Sequence, residues 1–136
     1  MKYAIIFTLL LCTVTVWGAN LKKELPTIRP AAERNGIESG SDDFYLLLAI
    51  RMAENGGAGR EFGIMDKRAY NLDLQAAWCS CTIMKHHKRF GSPAVTAAFI
   101  DDLGDRYCPV GADNDNGTNK YWKKNVKYWY RRLKNV

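Results

Sequence analysis

The chain of 136 residues has no internal repeat, no low-complexity segment and no stretch in which apolar and polar side chains alternate convincingly. The first two absences exclude solenoid and fibrous repeat architectures. The third argues against a sheet with one solvent-facing side, because its strands would show a period of two. The remaining pattern predicts a mainly α-helical protein.

Metal-ligating residues are also few, with four cysteines and two histidines in the chain. Cys79 and Cys81 with one distant cysteine, Cys108, lack the paired Cys-x-x-Cys spacing of a structural zinc site. His86 and His87 are adjacent, so their side chains would point about 100° apart on a helix, as in a solvated basic helix end. We therefore expect no metal and no other cofactor.

The longest apolar run lies at the N-terminus, where MKYAIIFTLLLCTVTVWGAN has one lysine followed by a segment too short to span a bilayer comfortably. The run ends in small residues near Gly18 and Ala19, which is typical of a secretory signal peptide. We predict that residues 1–19 are removed, that the protein is secreted or periplasmic, and that the mature chain keeps no membrane anchor.

The mature chain would contain about 117 residues, the usual size of one domain, and we expect it to be a monomer. The formal net charge of +6 predicts attraction to polyanions. Bacterial envelopes, lipid surfaces and nucleic acids are all polyanions, so charge alone does not identify the partner.

Residues 20–40 mix charged side chains with Pro26 and Pro30 and show no sustained period. This composition predicts a linker or an irregular lead-in that contains about one helical turn. The folded domain is expected over residues 41–136.

Four helices are predicted in that domain. Ser41 is a suitable N-cap for the apolar segment FYLLLAIRMA, which should form the central buried helix. Further helices are expected from near Asn71 to Gly91, from Ser92-Pro93 to Gly104, and over the segment NKYWKKNVKYWYRRL. A short hairpin around residues 62–65 is the only β-structure that the pattern allows.

Glu54 ends the central helix and is followed by Asn55-Gly56-Gly57. A helix C-terminus carries partial negative charge and favours basic residues, so a carboxylate there is misplaced unless it is exposed or useful. Burial together with the helix dipole would keep the carboxyl protonated, as a general acid for glycoside hydrolysis requires. The alternative is a solvated glutamate at a helix end.

Two segments, LLLAIRMAENGG…GREFGIM and YCPVGADNDNGTNKYWKKNV, resemble the lysozyme-like superfamily, especially lytic transglycosylases and endo-β-N-acetylglucosaminidases. The resemblance implies a small lysozyme-like domain that cleaves β-1,4 linkages in the glycan strands of peptidoglycan. In that family a hydrophobic helix ends on the catalytic glutamate, and a Gly-aliphatic-Met turn follows.

The resemblance also implies roles for individual residues. Glu54 would be the general acid, and Tyr107 would place a hydroxyl beside the cleaved bond. The glycan would be contacted by the backbone of Gly63, Ile64 and Met65 and by Asn114 and Tyr121.

The chain departs from the family pattern at two points. The gap from Glu54 to Gly63 is shorter than in lytic transglycosylases, and Asp66 stands where many of them have glutamine. A hydrolase would also need a second carboxylate, whereas a lytic transglycosylase uses a hydroxyl of its own substrate in place of water. Candidates for the second carboxylate are Glu61, Asp66, Asp113 and Asp115. For Glu61, a surface ion pair with Arg60 or Arg68 is the alternative interpretation.

The segment Asp113-Asn114-Asp115-Asn116-Gly117 is rich in possible calcium ligands. It lacks the EF-hand pattern, because Gly117 comes one place early and Lys124 occupies the position of the bidentate glutamate. An Asx-rich turn that caps the last helix is the better interpretation.

The last helix places Trp122, Val126, Trp129 and Leu133 on one face, which is the pattern of a core face. Its tyrosines at 121, 128 and 130 lie off that face among lysines and arginines. Interleaved aromatic and basic side chains can stack on sugars or bases. The alternative function is therefore a non-catalytic module that binds wall polymer or nucleic acid, with nucleic acid the less favoured partner.

Three cysteines remain in the mature chain, and an exported protein of this size can use two of them in a disulfide. Cys79 and Cys81 are two apart on one helix, so only one can face Cys108. We predict a bridge from Cys108 to Cys79 or Cys81, with Cys79 slightly preferred because it follows the segment that should face the core, and with free buried thiols as the alternative.

Overall fold

A computed structural model describes residues 21–135, which form α1 over residues 21–34 and four further α-helices. These are α2 (Asp42–Glu54), α3 (Leu72–Phe90), α4 (Ala97–Tyr107) and α5 (Trp122–Lys134), with one 3-10 turn at Asn119–Tyr121. No residue between 21 and 135 is in a strand, so the mainly α prediction is confirmed and the optional hairpin at 62–65 is not formed. The predicted signal segment lies outside the described residues.

Helix α2 is the central helix, as predicted. The Ser41 side chain caps it by accepting a hydrogen bond from the Phe44 amide at 3.2 Å. Residues 46 to 50 are all buried, and α2 packs extensively against α5. Asn55 ends α2 in the left-handed conformation with φ 47°.

The prediction of an irregular segment at 20–40 is wrong, because residues 21–34 are helical. Ile28, Ala31 and Ala32 on this helix are completely buried in the common core. Pro26 and Pro30 are exposed and four residues apart, so they share one helix face on which the carbonyls that lose their N–H partners can be hydrated. Core burial on the opposite face outweighs the unfavourable proline propensity.

Arg51 joins α1, α2 and the loop after α2. Its guanidinium donates two hydrogen bonds to the Glu24 carboxylate, both at 2.7 Å, and one to the backbone carbonyl of Glu61 at 3.2 Å. Arg51 is 7% exposed, so its charge is compensated by a partner within the fold.

Helix α3 begins and ends where the sequence predicted, with an Asn71 cap and Gly91 in the left-handed conformation. Helix α4 does not. Its N-cap is Thr96 rather than Ser92, and the helix continues through Gly104. A Cβ on Gly104 would lie 3.0 Å from the Trp122 ring, so this glycine allows α4 and α5 to approach closely instead of ending the helix.

The predicted core face of α5 is largely confirmed, with Trp122 and Val126 buried and Trp129 and Leu133 partly buried against the core. Tyr130 was expected off this face and is only 8% exposed. None of the helices between residues 21 and 135 is both long and apolar enough to cross a bilayer.

Candidate functional site

The Glu54 carboxylate lies at the C-terminus of α2, partly enclosed by residues from distant parts of the chain. The Trp122 indole N–H donates a hydrogen bond to Glu54 Oε1 at 2.8 Å. Burial raises the pKa of Glu54 above its ordinary value, and the Trp122 hydrogen bond partly opposes this effect. Burial of Glu54 therefore favours the protonated form of its carboxyl, whereas the Trp122 N–H stabilises the ionised form.

Gly63 closes another side of the carboxylate. Its φ is +73°, and a Cβ at this position would lie 2.3 Å from Glu54 Oε2 and 2.9 Å from Oε1. A side chain here would be strained and would also collide with the acid. Gly63 therefore lies directly beside the Glu54 carboxylate.

Tyr107 completes the cluster. Its ring stacks on Trp122 with centroids 5.3 Å apart, and its hydroxyl donates a short hydrogen bond to the backbone carbonyl of Phe62. Burial raises the pKa of Tyr107 well above its ordinary value. The hydroxyl proton is therefore engaged in holding the peptide between Phe62 and Gly63.

Two of the backbone amides expected to contact glycan are used within the protein. The Gly63 amide donates to the Arg60 carbonyl at 3.0 Å, and the Ile64 amide donates to Gln75 Oε1 at 3.2 Å. These two amides are therefore engaged within the protein, and the implied backbone contacts of residues 63–65 to glycan stay a prediction. Met65 is 54% exposed, and its sulfur accepts a hydrogen bond from Arg60.

Tyr121 is 51% exposed and precedes Trp122, so it borders the cluster. Asn114 is exposed in the loop after α4. Within the described part of the chain, no contact joins Asn114 to Glu54. Of the two side chains expected to bind glycan, Tyr121 is the sequence neighbour of Trp122 in the cluster, whereas Asn114 lies in the exposed loop after α4.

Glu61 is not the surface charge of the alternative interpretation. It is 7% exposed, and its Oε1 accepts a hydrogen bond from the Gly59 amide at 3.0 Å. Its other carboxylate oxygen is buried without a hydrogen-bond partner. The expected pairing with Arg60 or Arg68 is replaced by a contact inside the loop.

Two further candidates for a second carboxylate stabilise their own local structure. Arg68 hydrogen bonds lower the pKa of Asp66 to about 2, and the two side chains form an ion pair at 2.8 Å. Asp115 accepts from the amides of Gly111, Gly117 and Asn119, and the Gly111 bond contributes most to lowering its pKa. The Asx-rich turn is formed, and Asp115 accepts from the Asn119 amide at the start of the 3-10 turn, but α5 itself begins after Tyr121 without the predicted side-chain cap.

No group of three or more His, Cys, Asp or Glu side chains in residues 21–135 is arranged to hold a metal ion. The histidines are not a solvated helix end, as the sequence suggested. His86 is 1% exposed and packs against Phe90 and Phe99. His87 contacts Asp43 at 2.6 Å and the Ser92 carbonyl at 2.8 Å.

Cys79, Cys81 and Cys108 are all free thiols, so the predicted Cys79–Cys108 bridge is not formed. Cys79 is hydrogen-bonded to the Tyr107 hydroxyl, and burial raises its pKa to about 12. Cys81 instead donates to Asn35 at 3.1 Å. The two cysteines face different neighbours, and Tyr107 occupies the contact at Cys79.

The sequence did not identify two residues of this site. Trp122 was assigned to the core, where it is indeed 5% exposed, but its N–H also reaches Glu54. Gln75 was not singled out, although it is a polar residue on the apolar face of α3 that carries Ala76, Cys79 and Ile83. A lone amide on a core face is the signal that could have identified it.

No family model, no curated protein and no solved structure matches this chain. The resemblance to the lysozyme-like superfamily is confined to two short segments, residues 46–65 and 107–126, and stays a prediction. These are also the segments that contribute Glu54, Gly63, Tyr107 and Trp122 to one cluster.

Proposed function

We propose that this chain is an exported peptidoglycan glycosidase that cleaves a β-1,4 glycan linkage with Glu54 as the general acid. The supporting observation is the environment of the Glu54 carboxyl, whose pKa is raised by burial and whose Oε1 accepts a hydrogen bond from the Trp122 indole. A protonated carboxyl near neutral pH is what departure of the leaving-group oxygen requires. The positive charge of the chain would concentrate it on an anionic wall.

The geometry supports a simple division of roles. Glu54 gives its proton to the glycosidic oxygen as the bond to the anomeric carbon breaks, and the resulting carboxylate keeps the Trp122 N–H as its donor. In hydrolysis, water adds to the anomeric carbon and gives one proton to the Glu54 carboxylate; in transglycosylation, a hydroxyl of the same sugar chain adds and its proton goes to the same carboxylate. Trp122 and Gly63 enclose the acid, and Tyr107 orients the Phe62–Gly63 peptide.

The test is activity of the mature chain on purified peptidoglycan, measured by zymography and by mass spectrometry of the products. Glu54→Gln should keep the fold and lose about 10²–10⁴ in rate. Glu33→Gln, at an exposed glutamate of α1, is the matched control and should stay active. Anhydro-muramic ends identify transglycosylation and reducing ends identify hydrolysis, whereas an active Glu54→Gln protein would refute the assignment.

A second candidate function is non-catalytic binding of an anionic wall polymer, and one feature of α5 favours it. Tyr121 and Tyr128 are about half exposed, and Lys124 lies between them at helical spacing. Arg131 and Arg132 continue the same stripe. Three other lysines of this helix instead pair with acids, namely Lys123 with Asp105, Lys127 with Asp101 and Lys134 with Asp42.

Variants of the exposed tyrosine and arginine stripe on α5 can distinguish binding of peptidoglycan from its cleavage. The double variant Tyr128→Ala with Arg132→Ala should weaken co-sedimentation with insoluble peptidoglycan about tenfold or more, through lost stacking and charge. A binding module would show this loss and release no product. Retention of full binding by the double variant would exclude the stripe as the attachment surface.

A further inference from the structure

Gln75 is the single glutamine of the chain, and its side chain is completely buried near the start of α3. Its Oε1 accepts hydrogen bonds from the amides of Phe62 at 3.1 Å and Ile64 at 3.2 Å. Its Nε2 donates to the carbonyls of Gly59 at 2.9 Å, Ile64 at 2.9 Å and Ala69 at 2.7 Å. Every donor and acceptor of this carboxamide is therefore used, with one hydrogen shared between two carbonyls.

These bonds converge on a loop that has little regular structure of its own. Residues 55–71, between α2 and α3, contain only turns and extended backbone. The loop's own backbone bonds are short-range, such as Arg60 N–H to Gly57 and Ala69 N–H to Asp66. Gln75 bonds to positions 59, 62, 64 and 69, and so cross-links the loop along most of its length.

The two amides that Gln75 holds belong to Phe62 and Ile64, the residues on either side of Gly63. Gly63 is the residue whose Cα hydrogens face the Glu54 carboxylate so closely that a Cβ would collide with it. In the peptide bond between Phe62 and Gly63, the Phe62 carbonyl accepts a hydrogen bond from the Tyr107 hydroxyl. The backbone of residues 62–64, which lies against the Glu54 carboxylate, is thus held by Gln75 of α3 and by Tyr107 of α4.

We propose that Gln75 is a positioning residue for the general acid, holding the 59–69 loop so that Gly63 closes the enclosure around Glu54. This inference rests on the proposed function for its catalytic meaning. Its structural content, that Gln75 controls the environment of the Glu54 carboxyl, can be measured without any activity. Burial is the main cause of the raised pKa of Glu54, so an opened loop should hydrate the carboxyl and lower that pKa.

The experiment is a carboxyl-carbon NMR titration of Glu54 in the mature chain, with the resonance assigned by its loss in Glu54→Gln. In Gln75→Met, which has similar volume and no amide, the Glu54 midpoint should fall toward the ordinary glutamate value. The rate on peptidoglycan should fall about tenfold or more, mainly in kcat.

Asn71→Ala is the matched control, because it removes the N-cap of the same helix and leaves the Gln75 contacts in place. It should lower thermal stability without moving the Glu54 midpoint. A folded Gln75 variant with an unchanged midpoint and unchanged kcat overturns the proposal, and so does a control that shifts the midpoint equally.

A measurement on the unaltered chain covers the case in which the Gln75→Met variant does not fold. Because the chain has one glutamine, selective labelling gives a single side-chain amide signal. Slow hydrogen exchange of that amide, together with slow exchange of the Phe62 and Ile64 amides, is expected. Exchange as fast as in an exposed glutamine overturns the proposal. If Glu54→Gln is fully active, the proposed function fails while the titration still decides the role of Gln75.

Discussion

The indole N–H of Trp122 donates a 2.8 Å hydrogen bond to the carboxylate of Glu54 across 68 positions of the chain. Trp122 begins α5 and Glu54 ends α2, so this bond joins two helices that pack extensively on each other. The hydrogen bond therefore ties the position of the Glu54 carboxylate to the packing between α2 and α5.

Replacing Trp122 with phenylalanine removes this donor and keeps an aromatic ring against Tyr107. Because the donor stabilises the ionised carboxyl, the pKa of Glu54 should rise and the alkaline limb of the pH–rate profile should move to higher pH. Trp78→Phe, at a half-buried tryptophan beneath Arg68, is the control. An alkaline limb that stays in place would show that Trp122 does not govern the acid.

Glu54→Gln should stabilise the protein at neutral pH. The carboxyl has a pKa near 4.5 when unfolded and a higher one when folded, so between these values only the folded state holds the proton. Stability is therefore lost as pH rises through that window, by about 1.4 kcal/mol for each pH unit separating the two pKa values. Thermal unfolding should show a higher Tm for Glu54→Gln at pH 7, with the difference vanishing below pH 4.5. A variant that is less stable at pH 7 would contradict the burial argument.

Tyr107→Phe should destabilise the fold by about 1–2 kcal/mol, since it leaves the Phe62 carbonyl without its donor. The rate should fall about tenfold as the Phe62–Gly63 peptide loses one support. Urea unfolding and peptidoglycan kinetics measure the two effects. Tyr70→Phe, at a tyrosine that is 70% exposed, should change neither, and unchanged kinetics in Tyr107→Phe would reduce its role to packing.

The thiols should remain unbridged and Cys79 should be protected. Burial raises the pKa of Cys79 to about 12 and that of Cys108 to about 11, so neither is appreciably a thiolate near pH 8. Alkylation of the native protein should leave Cys79 unmodified until the chain unfolds. Peptide mapping without reductant should give three thiols in the mature chain, whereas a Cys79–Cys108 peptide would support the bridge that the sequence suggested.

A chain that begins at Ser41 should not fold cooperatively. It lacks Ile28 and the neighbouring buried alanines of α1, and it leaves Arg51 without the Glu24 carboxylate. Loss of one partner of a buried ion pair is by itself destabilising by about 3–5 kcal/mol. Circular dichroism and thermal unfolding against a chain that begins at Asn20 test this. A cooperative transition of equal Tm would restore the predicted domain boundary.

The sequence by itself determined the features that depend on near neighbours. The Ser41 and Asn71 caps and the Gly91 stop set helix ends through bonds within four residues, and each was predictable. The position of Glu54 at the end of an apolar helix was predictable for the same reason. The local sequence pattern did not predict α1. Pro26 and Pro30 are unfavourable in a helix, and both are exposed, on the side away from the buried residues of α1.

Only the tertiary structure decided the environment of Glu54. Trp122, Gly63 and Gln75 are brought there by the packing of α5 and α3 around α2, and their sequence separation leaves no local pattern. From the sequence, Gly104 was predicted to end a helix. In the fold it lies within α4 and allows close contact with Trp122 of α5. The physical reason is that burial, which sets the pKa of the acid, is a property of the assembled core rather than of any one segment.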